Sequence, residues 1–260
     1  MNKDHVFVLD LDGTIYLENT IIEGAIEFIN TLKKQQRRFI FLTNNSSKNT
    51  EDYVEKLKRM GLDIDASHVL TSGEATRRTL QKDTSLKRLY LLGTSRLEHD
   101  FESAGFELVT SPKDSVDAVV LGFDTTLTYQ KLWDACDLIR EGVPYYATHP
   151  DFNCPLQGGK MMPDTGAMIA FIKAATGLEP IVIGKPHKPV VDVLAERLGV
   201  TNDKMIMVGD RLYTDMAMAI KHGMTSVLVM SGETTSAMLE KSTIKVDYVF
   251  PSVKAMIPLL

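Results

Sequence analysis

Val6-Phe7-Val8-Leu9 is a continuous apolar run that ends at an acidic turn, Asp10-Leu11-Asp12-Gly13-Thr14. A short run of this kind, rich in β-branched residues, predicts a strand buried on both faces. Ala25, Ile26, Phe28, Ile29 and Leu32 then recur at helical spacing. Phe39-Ile40-Phe41-Leu42 predicts a second buried strand, ending at Thr43-Asn44-Asn45-Ser46-Ser47. Asn49 or Thr50 can cap the next helix, whose apolar stripe is Tyr53, Val54, Leu57 and Met60 and which Gly61 would end.

The same alternation returns near the end of the chain. Ile181-Val182-Ile183 predicts a strand leading into Gly184-Lys185-Pro186, and residues 190–198 a helix stopped by Gly199. Met205-Ile206-Met207-Val208 predicts a strand leading into Gly209-Asp210. Residues 216–221 read as a short helix closed by Gly223, and residues 226–230 as another strand. The middle carries its own alternation, with strands at 89–92, 118–121 and 145–147 and helices at 97–104 and 129–140. Strand–helix alternation predicts an α/β fold, a parallel sheet covered on both faces. The expected organisation is a core in two parts, 1–74 and 179–260, with an α/β domain at 75–178 inserted between them.

Composition narrows the class. The chain has 260 residues, and roughly 150 per domain gives between one and two domains. Its 44% hydrophobic and 24% charged residues exclude a disordered chain, a collagen-like repeat and a coiled coil. A net charge of −5 lacks the footprint of a nucleic-acid binder and the polybasic run that holds a protein on an anionic membrane. Lys33-Lys34-Gln35-Gln36-Arg37-Arg38 sits at a helix end, where solvated cations complement the dipole. The two cysteines, Cys136 and Cys154, match no zinc or redox spacing and read as reduced thiols. The polar start, Met1-Asn2-Lys3-Asp4-His5, precedes an apolar run shorter than the roughly 7–15 residues of a secretory segment. The expected compartment is the cytoplasm. Gly158-Gly159-Lys160 lacks the first glycine of a Walker loop, and no Gly-x-Ser-x-Gly or Gly-x-Gly-x-x-Gly occurs. The thirteen methionines lie mostly in apolar-patterned stretches and read as core filling.

The chemistry gathers at the strand ends. In open parallel sheets, ligands bind beyond the carboxyl ends of the strands. Asp10/Asp12, Thr43/Asn44, Lys185 and Asp210 each follow a predicted strand, so they are expected to converge. Asp10 and Asp12 are two apart, which lets both carboxylates face one centre, and Gly13 permits a sharp turn. Carboxylates brought together repel unless a cation joins them. Mg²⁺ favours one or two carboxylates, waters and a substrate phosphate. A calcium loop starting at Asp10 is excluded, because Ile15 and Ile21 stand where it needs Gly and Glu.

Asp10-Leu11-Asp12-Gly13-Thr14 resembles the first motif of the haloacid dehalogenase superfamily, and Leu42-Thr43-Asn44 the second. Gly184-Lys185-Pro186 resembles the third, and Gly209-Asp210-Arg211-Leu212-Tyr213-Thr214-Asp215 the fourth. The four occur in order. Asp-Gly-Thr, Thr-Asn-Asn-Ser and Gly-Lys-Pro together resemble the NagD-like, 4-nitrophenylphosphatase-like branch. The resemblance implies a Rossmann-like core. It also implies the family's larger (type 2A) cap after the second motif, because 141 residues separate Thr43 from Lys185 and only 32 separate Asp10 from Thr43.

The resemblance also implies roles. Asp10 would be a nucleophile forming an aspartyl-phosphate, and Asp12 the acid and then the base. Thr43, the Asn44 amide and Asn45 would serve the phosphoryl oxygens, and Lys185 would neutralise charge on the phosphoryl group and on Asp10. Mg²⁺ would sit on Asp10, the Asp12 backbone carbonyl and Asp210, with Gly13 and Asp215 supporting. Asp215 also reads as a helix N-terminal acid. Thr148-His149-Pro150-Asp151-Phe152 resembles the branch's Thr-Asn-Pro-Asp turn, with His149 in place of Asn. His149 and Asp151 are therefore candidates for substrate specificity on the cap surface. A solvated loop histidine and a turn-forming Asp are the alternatives.

The implied activity is Mg²⁺-dependent hydrolysis of a small phosphorylated metabolite, such as a sugar phosphate or nucleoside monophosphate. A phosphomutase using the same site, and a catalytically weak phosphate-ligand binding protein, remain open alternatives. The resemblance also makes a homodimer through the cap an expected partner arrangement.

Overall fold

The computed structural model describes residues 4–156 and 160–260. Met1, Asn2 and Lys3 of the polar start and Gly158-Gly159 of the glycine pair lie outside the described residues. The chain divides into two compact units: residues 1–43, 50–70 and 191–260, and residues 44–49 and 71–190. The second unit is wider at both ends than the 75–178 insertion read from the sequence. Position 74/75 falls inside the helix Ser72–Leu80, and Lys185 lies in the second unit.

The first unit is built on a sheet ordered Tyr248–Phe250, Thr225–Val229, Met205–Gly209, Val6–Leu9, Phe39–Thr43, Val69–Thr71. The first five strands pair in parallel. From Val6–Leu9 the chain moves outward to one side, and from Met205–Gly209 it moves outward to the other. The order therefore reverses between these two strands, and in open parallel sheets ligands bind beyond the carboxyl ends at such a point. Leu9 stands opposite Val208, and the Asp10 N–H continues the ladder to the Val208 carbonyl at 2.9 Å.

The expected helical stripe is observed. The helix Ala25–Lys34 buries Ala25, Phe28, Ile29 and Leu32, and Phe28 meets Phe7 edge-to-face at 6.0 Å. The helix Thr50–Arg59 buries Tyr53 and Leu57, with Val54 and Met60 partly buried against the same core. Gly61 follows it at φ 92°, a left-handed conformation that glycine adopts without strain.

The second unit has a parallel sheet of its own, ordered Ile181–Val182, Tyr145–Ala147, Ala118–Leu121, Arg88–Leu92, Glu107–Leu108. Its strands sort their side chains by period two. Leu89, Leu91, Ala118 and Val120 join one cluster with Leu97 and Phe101. Tyr90, Leu92, Val119 and Leu121 join the other with Leu132, Ala135, Ile139 and Ile172. Both faces are thus covered by helices. The helices start at Thr71, Thr94 and Thr128, whose hydroxyls accept from the N–H groups of Glu74, Leu97 and Lys131, and at Asp164. An antiparallel pair, Asn153–Leu156 with Lys160–Pro163, was not expected from the sequence. No helix among the described residues is long and apolar enough to cross a membrane.

Phe28→Ala should destabilise the first unit by about 3–5 kcal/mol in urea unfolding, because it removes a buried ring that the packed core cannot refill. A loss below about 1 kcal/mol would contradict this packing.

Candidate active site

In the first unit, Asp10, Asp210 and Asp215 each offer a carboxylate oxygen, all within 4.8 Å of one another. All three are buried, Asp215 completely. Their convergence follows from local structure. Asp10 and Asp210 are the residues next after two neighbouring strands. Asp215 arrives on a single wide turn, the π-helix Leu212–Met216, a geometry often found at functional sites. Gly209 leaves room for it, since a Cβ there would collide with the Asp215 carboxyl.

A third strand end completes the enclosure. Ser231-Gly232-Glu233-Thr234 follows the strand Thr225–Val229. The Glu233 N–H donates to Asp210 Oδ2 at 2.6 Å, and the Thr234 hydroxyl donates to the Asp210 carbonyl. The Ser231 hydroxyl donates to the Gly13 carbonyl at 2.8 Å. A Cβ at either Gly13 or Gly232 would run into the Asp210 carboxylate. The sequence reading missed this loop. Its signal was the one used elsewhere, a small polar cluster at the carboxyl end of a buried strand.

Three carboxylates buried this close together repel one another unless a positive charge lies among them. The donors here are all oxygen, hard ligands suited to Mg²⁺ and unsuited to soft metals. The set therefore fits a hard divalent cation. Asp215, expected as a supporting residue, stands with Asp10 and Asp210 in this group, and the Asp12 carboxylate, which the two-residue spacing would turn to the same centre, does not. The reason is the turn after Asp10. Residue 12 is no longer in an extended strand. The N–H groups of Thr14 and Ile15 donate to the Leu11 carbonyl at 3.2 and 2.9 Å, and Gly13 sits at φ 85°. The Asp12 carboxylate instead accepts from the Tyr16 hydroxyl at 3.2 Å. Burial, and then Asp12 beside it, holds the Tyr16 hydroxyl well above the ordinary tyrosine range, so it stays a donor. Thr43 is buried at the end of its strand.

In the second unit, Asn44 clasps Lys185. The Lys185 N–H donates to Asn44 Oδ1 at 2.9 Å, and Asn44 Nδ2 donates to the Lys185 carbonyl at 3.0 Å. The same Nδ2 donates to Asp151 Oδ1 at 3.1 Å. The carboxamide is therefore fully engaged with Lys185 and Asp151. Asn45 Oδ1 accepts from the Ser47 N–H and hydroxyl at 2.9 and 2.7 Å, so that oxygen shapes its own loop. A Cβ at Gly184 would press on Asn44 Oδ1 at 2.7 Å, which keeps this position small.

His149 and Asp151 are not surface groups of the cap. His149 is fully buried, with Nε2 2.9 Å from Asp164 Oδ1 and Nδ1 2.9 Å from Thr148 Oγ1. One assignment satisfies the whole chain. The Phe123 N–H donates to Ser46, Ser46 to Thr148, Thr148 to Nδ1, and Nε2–H donates to Asp164. Asp164 also caps the helix Thr165–Thr176 through the Thr165 N–H at 2.6 Å. The solvated-loop alternative for His149 gives way to a buried imidazole held by Asp164, and Asp151 is buried beside Asn44. Asp164 itself carried a readable signal, an N-cap before an apolar run.

Gly232→Ala should lower Mg²⁺ affinity about tenfold or more in calorimetry, since overpacking against Asp210 costs roughly 1–3 kcal/mol. Unchanged affinity would remove the loop from the carboxylate site. Asn44→Ala should cost about 1–3 kcal/mol in urea unfolding for each backbone group of Lys185 left without its partner. A change below about 0.5 kcal/mol would contradict the clasp.

Comparison with known proteins gives the family. Residues 7–107 match the model of a haloacid dehalogenase-like hydrolase, and residues 182–256 that of a HAD-hydrolase-like family. An acid sugar phosphatase of Staphylococcus saprophyticus is 33% identical, over 99% of this chain and 98% of the relative. The 4-nitrophenylphosphatase of Thermotoga maritima is 46% identical, with a TM-score of 0.92 over 98% of this chain and 96% of that one. A solved structure carrying the name nagD protein is 43% identical, with a TM-score of 0.92 over the full length of both chains. The chain belongs to the haloacid dehalogenase superfamily, as a phosphatase of its NagD-like, 4-nitrophenylphosphatase-like branch.

Proposed function

We propose that this phosphatase hydrolyses small phosphate monoesters, sugar phosphates foremost, through an aspartyl-phosphate on Asp10, with Mg²⁺ bound. The buried group Asp10, Asp210 and Asp215 is the observation that carries the reading. The similarity to an acid sugar phosphatase supports the sugar-phosphate class. Nucleoside monophosphates and other small phosphoesters fall in the same reading. The cytoplasm suits two cysteines that form no disulfide.

Mg²⁺ would be held by Asp10, Asp210 and the Asp12 carbonyl, with Asp215 beside them, and would offset the negative charge of the phosphoryl group. The chain's own residues do the rest. The Asp10 carboxylate attacks phosphorus, and the bond from phosphorus to the ester oxygen breaks. Asp12 gives its proton to that oxygen, and the alcohol leaves. Asp12, now a carboxylate, takes a proton from a water that attacks the aspartyl-phosphate at phosphorus. Phosphate leaves and Asp10 is regenerated. Thr43 Oγ1 and the Asn44 N–H serve the phosphoryl oxygens, and Lys185 offsets their charge. Positioning and charge compensation are what phosphoryl transfer needs from a protein.

Purified protein with Mg²⁺ should release phosphate from 4-nitrophenyl phosphate and from a panel of sugar phosphates. Asp10→Asn should lower kcat by a factor on the order of 10³ or more, and Asp12→Asn by roughly 10²–10⁴. Near-normal turnover in Asp10→Asn would overturn the nucleophile. Activity that depends on a bisphosphate and releases no phosphate would show a mutase instead.

A further inference from the structure

Tyr16 is a tyrosine in the first unit with its ring fully buried and its hydroxyl committed to one oxygen of Asp12. The surroundings fix this placement from three sides. The Tyr16 N–H donates to the Leu11 carbonyl at 3.2 Å, and the Gly13 N–H donates back to the Tyr16 carbonyl at 2.8 Å. Residue 16 therefore closes the very turn that carries Asp12. Lys56, from the helix Thr50–Arg59, places Nζ 3.6 Å from the centre of the ring. A cation over an aromatic face holds the ring in place. The hydroxyl then reaches Asp12 Oδ2 at 3.2 Å.

A core tyrosine needs a partner for its hydroxyl, and any buried carbonyl would serve. Here the partner is the one carboxylate of the acidic turn that stands outside the Asp10, Asp210 and Asp215 group. A carboxyl group that delivers a proton must present one defined oxygen to the leaving group. A donated hydrogen bond to the other oxygen achieves that, because it fixes the rotation of the carboxyl group and leaves the proton on the oxygen that is not an acceptor.

We propose that Tyr16 is a positioning residue for proton transfer: its hydroxyl holds Asp12 Oδ2, so that Oδ1 carries the proton given to the leaving oxygen. The proposal rests on the reading of Asp12 as the acid. It adds a residue outside the four motifs. In the step itself, the Oδ1–H bond breaks as the new oxygen–hydrogen bond of the alcohol forms. The Tyr16 hydroxyl keeps its own proton throughout.

The test uses two aryl esters that differ in how much they need the proton. The leaving group of 4-nitrophenyl phosphate is stable as an anion, whereas that of phenyl phosphate is far more basic. Tyr16→Phe keeps the ring and removes only the hydroxyl. With kcat/KM, which reports the steps up to leaving-group departure, it should lose about 10–100-fold on phenyl phosphate and less than about threefold on 4-nitrophenyl phosphate. Mg²⁺ affinity should stay within about twofold. In an Asp12→Asn background, Tyr16→Phe should add less than about a twofold loss, because the two residues act as one unit. Equal losses on the two esters, no loss on either, or the full loss persisting with Asn at position 12 would each overturn the proposal. A wild-type enzyme inert toward both esters, or Asp12→Asn losing equally on both, would instead overturn the acid role of Asp12, and this inference with it. Failure confined to the Tyr16 variants leaves that role standing.

Discussion

Mutual repulsion among Asp10, Asp210 and Asp215 is the constraint around which the first unit is arranged. Three carboxylates buried within 4.8 Å of one another are unstable by themselves. The protein answers with backbone donors, from Glu233 to Asp210 and from Arg211 to Asp215 at 3.1 Å, and with a donor set suited to a hard cation. The glycines follow from the same constraint. Gly13, Gly209 and Gly232 each lie where any side chain would strike one of these carboxylates. The strand order supplies the meeting place, because Val6–Leu9 and Met205–Gly209 are neighbours and the chain departs from them in opposite directions.

The second unit solves a different problem, the placement of a buried lysine. Lys185 is held by its backbone, through the paired bonds with the Asn44 carboxamide. Its side chain is thereby left out of the clasp itself. Asn44 is steadied in turn by Asp151. The neighbouring chain from Ser46 through Thr148 and His149 to Asp164 is a closed polar network in a low-dielectric setting, where satisfied bonds rigidify and unsatisfied ones are costly. His149 and Asp151 are thus both buried in the polar surroundings of the clasp.

Much of this was legible in the sequence. Val6–Leu9, Phe39–Thr43 and Met205–Gly209 read as strands because parallel strands buried on both faces are continuous apolar runs. The residues that follow them had to share one sheet edge, which is why Asp10, Thr43 and Asp210 could be singled out. What was not legible depends on partners distant in sequence or on local turn geometry. The inward direction of His149 is set by Asp164, a residue fifteen positions later. The place of Asp215 inside the carboxylate group and of the Asp12 carboxylate outside it follows from the wide turn at Leu212–Met216 and from the tight turn at Leu11–Tyr16, neither of which changes the apolar pattern. The pair Asn153–Leu156 and Lys160–Pro163 has exposed and half-exposed positions without alternation, so no period marked it.

In the proposed function the carboxylate group presents Asp10 as a nucleophile toward phosphorus. Rapid acid quench during turnover of 4-nitrophenyl phosphate with Mg²⁺, followed by mass spectrometry of the peptide that contains Asp10, tests it most directly. A nucleophilic Asp10 gives a peptide heavier by one phosphoryl group, with the modification on Asp10 and absent without Mg²⁺. Steady phosphate release with no phosphoryl group on Asp10 at any quench time, or with the group on another residue, would contradict it.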